Sequence, residues 1–148
     1  MNLDPADARG RFAAVRVARL ATADAAGVPH LVPIVFVLAG DTLYSAVDAK
    51  PKRTTALRRL ANVAANPAVA VLADHYAEDW TALWWVRADG TGRVLDQVGA
   101  AAGAEVRRAL ALLAGRYPQY RRTPPPGPVL AVDVTRWSGW AAATGPAA

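Results

Sequence analysis

Residues 29–47 read Pro29-His-Leu-Val-Pro-Ile-Val-Phe-Val-Leu38, then Ala39-Gly-Asp41, then Thr42-Leu-Tyr-Ser-Ala-Val47. Side chains alternate in an extended chain, so His30, Val32, Ile34, Phe36 and Leu38 share one face and Leu31, Pro33, Val35 and Val37 the other. Both faces are apolar, which predicts one strand over 29–38 covered on both sides. Ala39-Gly40-Asp41 returns the chain as a hairpin into a second strand over 42–47. Pro33 lacks the N–H that a neighbouring strand would use, so the sheet is expected to open there. A flat ligand can lie in such a gap and bond to main chain at Val32 and Ile34. An edge strand or bulge with no ligand accounts for the same proline.

Outward from this hairpin the pattern stays extended. Toward the N-terminus, 18–23 reads as a short strand closed by the turn Asp24-Ala-Ala-Gly27, preceded by a helix over 8–17 with Asp4 as its cap and Pro5 in its first turn. Toward the C-terminus, apolar runs at 68–73 and 83–88 read as strands. Asp89-Gly-Thr-Gly92 reads as a turn and 93–95 as a resumed strand. Residues 100–116 carry a helical pattern, whereas 117–128, with Pro124-Pro-Pro-Gly127, predicts a surface loop. A last strand over 129–134 runs into Thr135-Arg-Trp-Ser-Gly-Trp140. A mainly β chain with few helices points to a small six-stranded antiparallel barrel, in one domain spanning 1–148.

Between the hairpin and the strand at 68 lies a run of five basic residues with no acid: Lys50, Lys52, Arg53, Arg58 and Arg59. Leu57, Leu60, Ala61 and Ala64 recur at helical spacing and Asn66-Pro67 ends the helix, so the cations sit at or before a helix N-terminus. The first N–H groups there lack internal partners and the macrodipole adds roughly half a positive charge, an arrangement that suits phosphate. Thr54 or Thr55 can cap the helix or turn a hydroxyl to a ligand oxygen. A solvated basic helix start serving solubility is the competing reading of the same residues.

The net charge of +5, from 17 Lys plus Arg and 12 Asp plus Glu, is concentrated in that run rather than spread along a face as in a general nucleic-acid binder. With no Cys, disulfides, thiolate metal sites and Cys nucleophiles are excluded. The two His and the scattered acids give no metal-ligand spacing, and Ser45 and Ser138 have no nucleophile context. No run approaches the length of a membrane span, and the acidic N-terminus does not read as a signal peptide. A cytoplasmic protein without membrane attachment is the expectation.

Gly27-Val-Pro-His30 leading into Leu31-Val-Pro33, the hairpin to Tyr44, Lys50-Pro-Lys-Arg-Thr54, Ala65-Asn-Pro67 before an apolar strand, and Trp84-Trp-Val-Arg87 ahead of Gly92 occur in one order. As an ordered set they resemble the split β-barrel flavin and deazaflavin oxidoreductases, the superfamily of pyridoxamine 5'-phosphate oxidase. The closer likeness is to the branch that uses coenzyme F420. The resemblance implies a homodimer with a cofactor site at the subunit interface, the phosphate held by Lys50, Lys52, Arg53 and Thr54, and the ring along His30, Val32, Pro33 and Ile34. Arg58 and Arg59 would meet a glutamate tail or face water. The basic loop departs from the compact Arg-Lys pair of the oxidase pattern, which argues against FMN more than against phosphate binding.

The implied activity is hydride transfer between the reduced deazaflavin and a small organic acceptor. FMN is the alternative cofactor, and a non-enzymatic carrier or a nucleic-acid-binding module is the alternative class. Such chemistry asks little of side chains, because the cofactor performs it. His30, Tyr44 and bound water are the candidates for a proton that follows the hydride. Among the aromatics, Trp84 and Trp85 must point to opposite faces of a strand; Trp85, Trp137 and Trp140 are candidate walls for a planar substrate, with core packing as the competing role.

Overall fold

A computed structural model describes residues 1–47, 53–96 and 99–142, and for 53–57 the backbone alone. Its strands are β1 (Ala18–Ala23), β2 (Pro29–Ile34), β3 (Val37–Ala39), β4 (Thr42–Ala46), β5 (Ala68–His75), β6 (Trp84–Leu95) and β7 (Val129–Ala141). They form one antiparallel sheet of seven strands in the order β2-β1-β5-β6-β7-β4-β3, against the six expected. The two edge strands, β2 and β3, are consecutive in the chain and separated only by Val35 and Phe36. Three Cα steps reach at most about 11 Å, so the two edges must meet at that end. The sheet therefore curls into a barrel that is joined by covalent chain between β2 and β3 but not by a hydrogen-bonded ladder.

The single strand expected over 29–38 is thus two strands on opposite edges of the sheet. At the break, main-chain groups leave the ladder and find side chains instead. Ser45 Oγ donates to the Val35 carbonyl at 2.8 Å, and the Tyr117 hydroxyl accepts the Phe36 N–H at 3.1 Å. Arg116 donates to the carbonyls of Phe36 (3.1 Å) and Ala13 (2.9 Å) and to that of Val15, while its guanidinium lies 5.0 Å from the Phe36 ring centroid. Coverage of both faces is also not met within one chain: Ile34 is buried, but Leu31 is 67% exposed.

The second departure is β6, which runs unbroken through 89–92 where a turn was expected. Its glycines serve close approach rather than reversal. A Cβ on Gly90 would lie 2.4 Å from the Asp133 carbonyl oxygen, at a register shift between Asp89 and Gly90, and one on Gly92 would lie 2.8 Å from Val63 Cγ1. β7 likewise continues to Ala141, so Trp137 and Trp140 are strand residues.

Among the described residues four α-helices pack on the barrel: α1 (Pro5–Ala14), α2 (Arg53–Ala65), α3 (Ala100–Arg116) and α4 (Pro118–Arg122). Asp4 caps α1 by accepting the Asp7 N–H at 2.8 Å, and the helix stops at Ala14 rather than 17, where Arg116 takes up the carbonyls around its end. Part of the loop expected over 117–128 is helical as α4. Pro118 suits the first helical turn, and Tyr117 and Tyr120 bury their rings under α3. Phe12 of α1 packs its ring 5.0 Å from Phe36 and 5.2 Å from Trp137, closing the main core inside the barrel. A second core lies between α3, β4 and β7, around Tyr44, Val106, Leu113 and Val129.

Candidate functional site

The helix that carries the basic run begins at Arg53 and ends at Ala65, ahead of Asn66-Pro67. Lys50 and Lys52 lie outside the described residues, and of Arg53 and Thr54 only the helical backbone is described. Leu60 and Val63 are the buried apolar positions, whereas Ala61 and Ala64, expected on that face, are exposed. The difference arises because a polar residue also turns inward. Asn62 is buried and donates from Nδ2 to Oγ1 of buried Thr22 at 3.1 Å, which ties α2 to β1. Thr22 stands opposite His30 in the β1–β2 register. Val63, one residue on, packs where Gly92 has no side chain.

Residues three and four positions before Asn62 share its side of the helix, and these are Arg59 and Arg58. Both act on His30. Burial first, and then the charges of Arg58 and Arg59, hold the imidazole below the usual histidine value, so it is neutral at neutral pH. Its Nδ1 is buried and has no hydrogen-bond partner among the described residues. A buried unpaired ring nitrogen costs free energy that a ligand group can recover. The field around it favours an anion.

Proline in a strand suits a position whose nitrogen faces an open edge. Since β2 is an edge strand with regular pairing, alternation then turns the main-chain groups of Leu31 and Pro33 to that edge and those of Val32 and Ile34 toward Leu20 and Ala18. Side chains alternate about the other axis: His30, Val32 and Ile34 face inward, while Leu31 faces out. On that outer face a shallow cleft of about 590 Å³ crosses β2, β1, β5 and β6, lined by Leu31, Leu72, Tyr76, Trp85, Arg19 and Arg87 among others. Trp140 stands opposite Trp85 in the register of β6 and β7, and Trp137 packs inward on Phe12, its Nε1 donating to Asp41 at 3.0 Å. Tyr44 is buried beneath α3, where its hydroxyl donates to Glu105 at 2.8 Å; His30 instead faces α2. The structure thus brings together His30, Thr22, Asn62, Arg58 and Arg59, and sets Tyr44, Trp85 and Trp137 in three other environments.

The pyridoxamine 5'-phosphate oxidase family matches residues 5–141. The chain belongs to that family. Solved structures agree on the fold. A FAD-binding protein from Mesorhizobium loti is similar at a TM-score of 0.71 and 20% identity, over 94% of this chain and 95% of that one. The FAD-binding protein of Mycobacterium smegmatis gives 0.63 and 23% over 95% and 98%, and the heme storage protein HutZ of Vibrio cholerae gives 0.68 and 16% over 95% of each. The comparison with curated proteins yields no match.

For a member of the oxidase family the arrangement is spare. Among the described residues no group of His, Asp and Glu could hold a metal ion, and no helix is long and apolar enough to cross a membrane. What the site offers is an open strand edge, a neutral imidazole and a cationic helix. Thr22 and Asn62 had no signal in the sequence beyond two polar residues in apolar surroundings. Arg58 and Arg59, expected to meet a tail or face water, have His30 within reach of their charge.

Proposed function

We propose that the chain is an oxidoreductase that binds coenzyme F420 between α2 and β2 and passes hydride from the reduced deazaflavin to a small organic acceptor. The observation that carries this reading is the convergence of Arg58 and Arg59 on a neutral His30 with an unpartnered buried nitrogen. The residues present fit a phosphate-bearing ring cofactor. Lys50, Lys52, Arg53 and Thr54 would hold the phosphate beside the helix start, and the edge of β2 would take the ring. When bound, the cofactor supplies the hydride. The protein's part is then to orient the ring against main chain, to exclude water with the apolar strand, and to offer His30 as a hydrogen-bonding group. Five cations within ten residues exceed what one phosphate dianion needs, which favours a cofactor with further carboxylates. The active unit is a homodimer with a cofactor at each interface, in the cytoplasm.

FMN is the second reading, favoured by the fold shared with two FAD-binding proteins. Titration of the purified protein with each cofactor decides between them, read by quenching of cofactor fluorescence. Lys52→Ala and Arg53→Ala are expected each to weaken binding about tenfold or more, since a charge-assisted bond is worth roughly 1.5–3 kcal/mol. Unchanged affinity in both variants would overturn the phosphate assignment.

A further inference from the structure

Thr22, Ser45 and Asn62 are the buried polar side chains among the described residues. Ser45 serves the break between β2 and β3, where it donates to the Val35 carbonyl. Thr22 and Asn62 instead bond each other across the contact of α2 with β1, at 3.1 Å. An apolar pair of the same shape would fill that contact at little or no cost in stability, so the polar pair needs another reason.

The place of Asn62 on its helix supplies one. At about 100° per residue, Arg58 projects roughly 40° to one side of Asn62 and Arg59 roughly 60° to the other, whereas Leu60 lies roughly 160° away. Asn62 therefore stands between the two arginines on the circumference of α2. Leu60 and Val63 hold the helix to the core by apolar contact, which has no preferred direction. A hydrogen bond does have one, because its length and angle are narrow. A roll of α2 by about 30° carries a side chain at a radius of about 6 Å through about 3 Å, enough to break the bond from Asn62. The other end of that bond is fixed beside the site. Thr22 pairs with His30 across β1 and β2, and cross-strand neighbours on one face stand about 5 Å apart. From this we infer that Thr22 and Asn62 are positioning residues: their hydrogen bond sets the rotation of α2 and thereby turns Arg58 and Arg59 toward the strand that carries His30. The inference rests on the cofactor site proposed between α2 and β2 and names what aims its cations. Burial, and then the charges of Arg58 and Arg59, hold the imidazole below its ordinary value, so its titration reports how the helix is turned.

Exchange of the pair tests the assignment. Thr22→Val combined with Asn62→Leu fills the contact and removes the bond, and the urea midpoint is expected to stay near that of the parent. Arg58 and Arg59 are then no longer held, so the His30 titration, followed by NMR in the free protein, should move up toward the ordinary histidine value. The dissociation constant of whichever cofactor the parent binds should rise about tenfold. Thr22→Ser keeps the oxygen and is expected to leave the His30 midpoint at the parent value. An unmoved His30 midpoint in the double variant overturns the positioning role, whatever its stability. Should the double variant not fold, Thr22→Val alone carries the same NMR readout, and an unmoved midpoint there overturns the role equally. The NMR measurement needs no cofactor. A parent that binds neither F420 nor FMN therefore sinks the redox reading alone, whereas an unmoved imidazole sinks the positioning role alone.

Discussion

Gly90 shows how one missing side chain sets the path of a strand. Any Cβ there would lie 2.4 Å from a main-chain oxygen of β7, and main chain, unlike a side-chain tip, cannot rotate away. Gly90→Ala is therefore expected to destabilise the fold by about 1–3 kcal/mol, as a lowered urea midpoint. A midpoint equal to that of the parent would mean the two strands can separate locally at no cost. The sequence around Gly90 and Gly92 matches turn chemistry well, and it misleads because glycine answers two needs, reversal and close approach, that only neighbours distinguish. His30 is the opposite case. That it shares a face with Val32 and Ile34 was legible from alternation alone, but which face turns inward and its cationic surroundings were not, because Arg58 lies twenty-eight positions away in the sequence.

At the scale of elements, the break between β2 and β3 is held from outside the strand. Tyr117 sits with its hydroxyl 2.8 Å from the Phe36 carbonyl and 2.9 Å from that of Arg16, while accepting the Phe36 N–H. Tyr117→Phe keeps the ring and removes the hydroxyl, leaving buried main-chain groups short of a partner. An expected loss of about 1–3 kcal/mol follows. Amide hydrogen exchange should also quicken at Phe36 more than in β5. Uniform slow exchange at both places would show that Arg116 and Ser45 suffice. The length and apolar character of 29–38 were readable, but the break was not: it depends on side chains that arrive some eighty residues later.

For the molecule as a whole, one ionic network joins three strands to α3. Arg93 on β6 bonds Asp133 on β7 at 2.6 Å and Glu105 on α3 at 3.0 Å, and Glu105 accepts from Tyr44 of β4 at 2.8 Å. Arg108 donates to the same Tyr44 oxygen at 3.3 Å. The hydrogen bond from Arg93 is the main cause that holds both carboxyls below their usual range. The folded state then binds these protons less tightly than the unfolded chain. The stabilisation is complete above the unfolded values and is lost as pH falls below about 4.5 toward the folded ones. Glu105→Gln should flatten that acid limb, measured as the change in urea midpoint between pH 7 and pH 3.5. An unaltered slope would assign acid sensitivity to other carboxylates.

From the residues alone came the antiparallel strands, the span of α3, the end of α2 ahead of Asn66-Pro67 and the cap of α1, because each is written in local periodicity, turn chemistry and the fixed demands of helix ends. Folding in three dimensions decided which strand is an edge, where the barrel splits, which polar side chains turn inward and which charges reach His30. Those outcomes depend on contacts between segments remote in the chain, and no local pattern encodes the distance between two such segments.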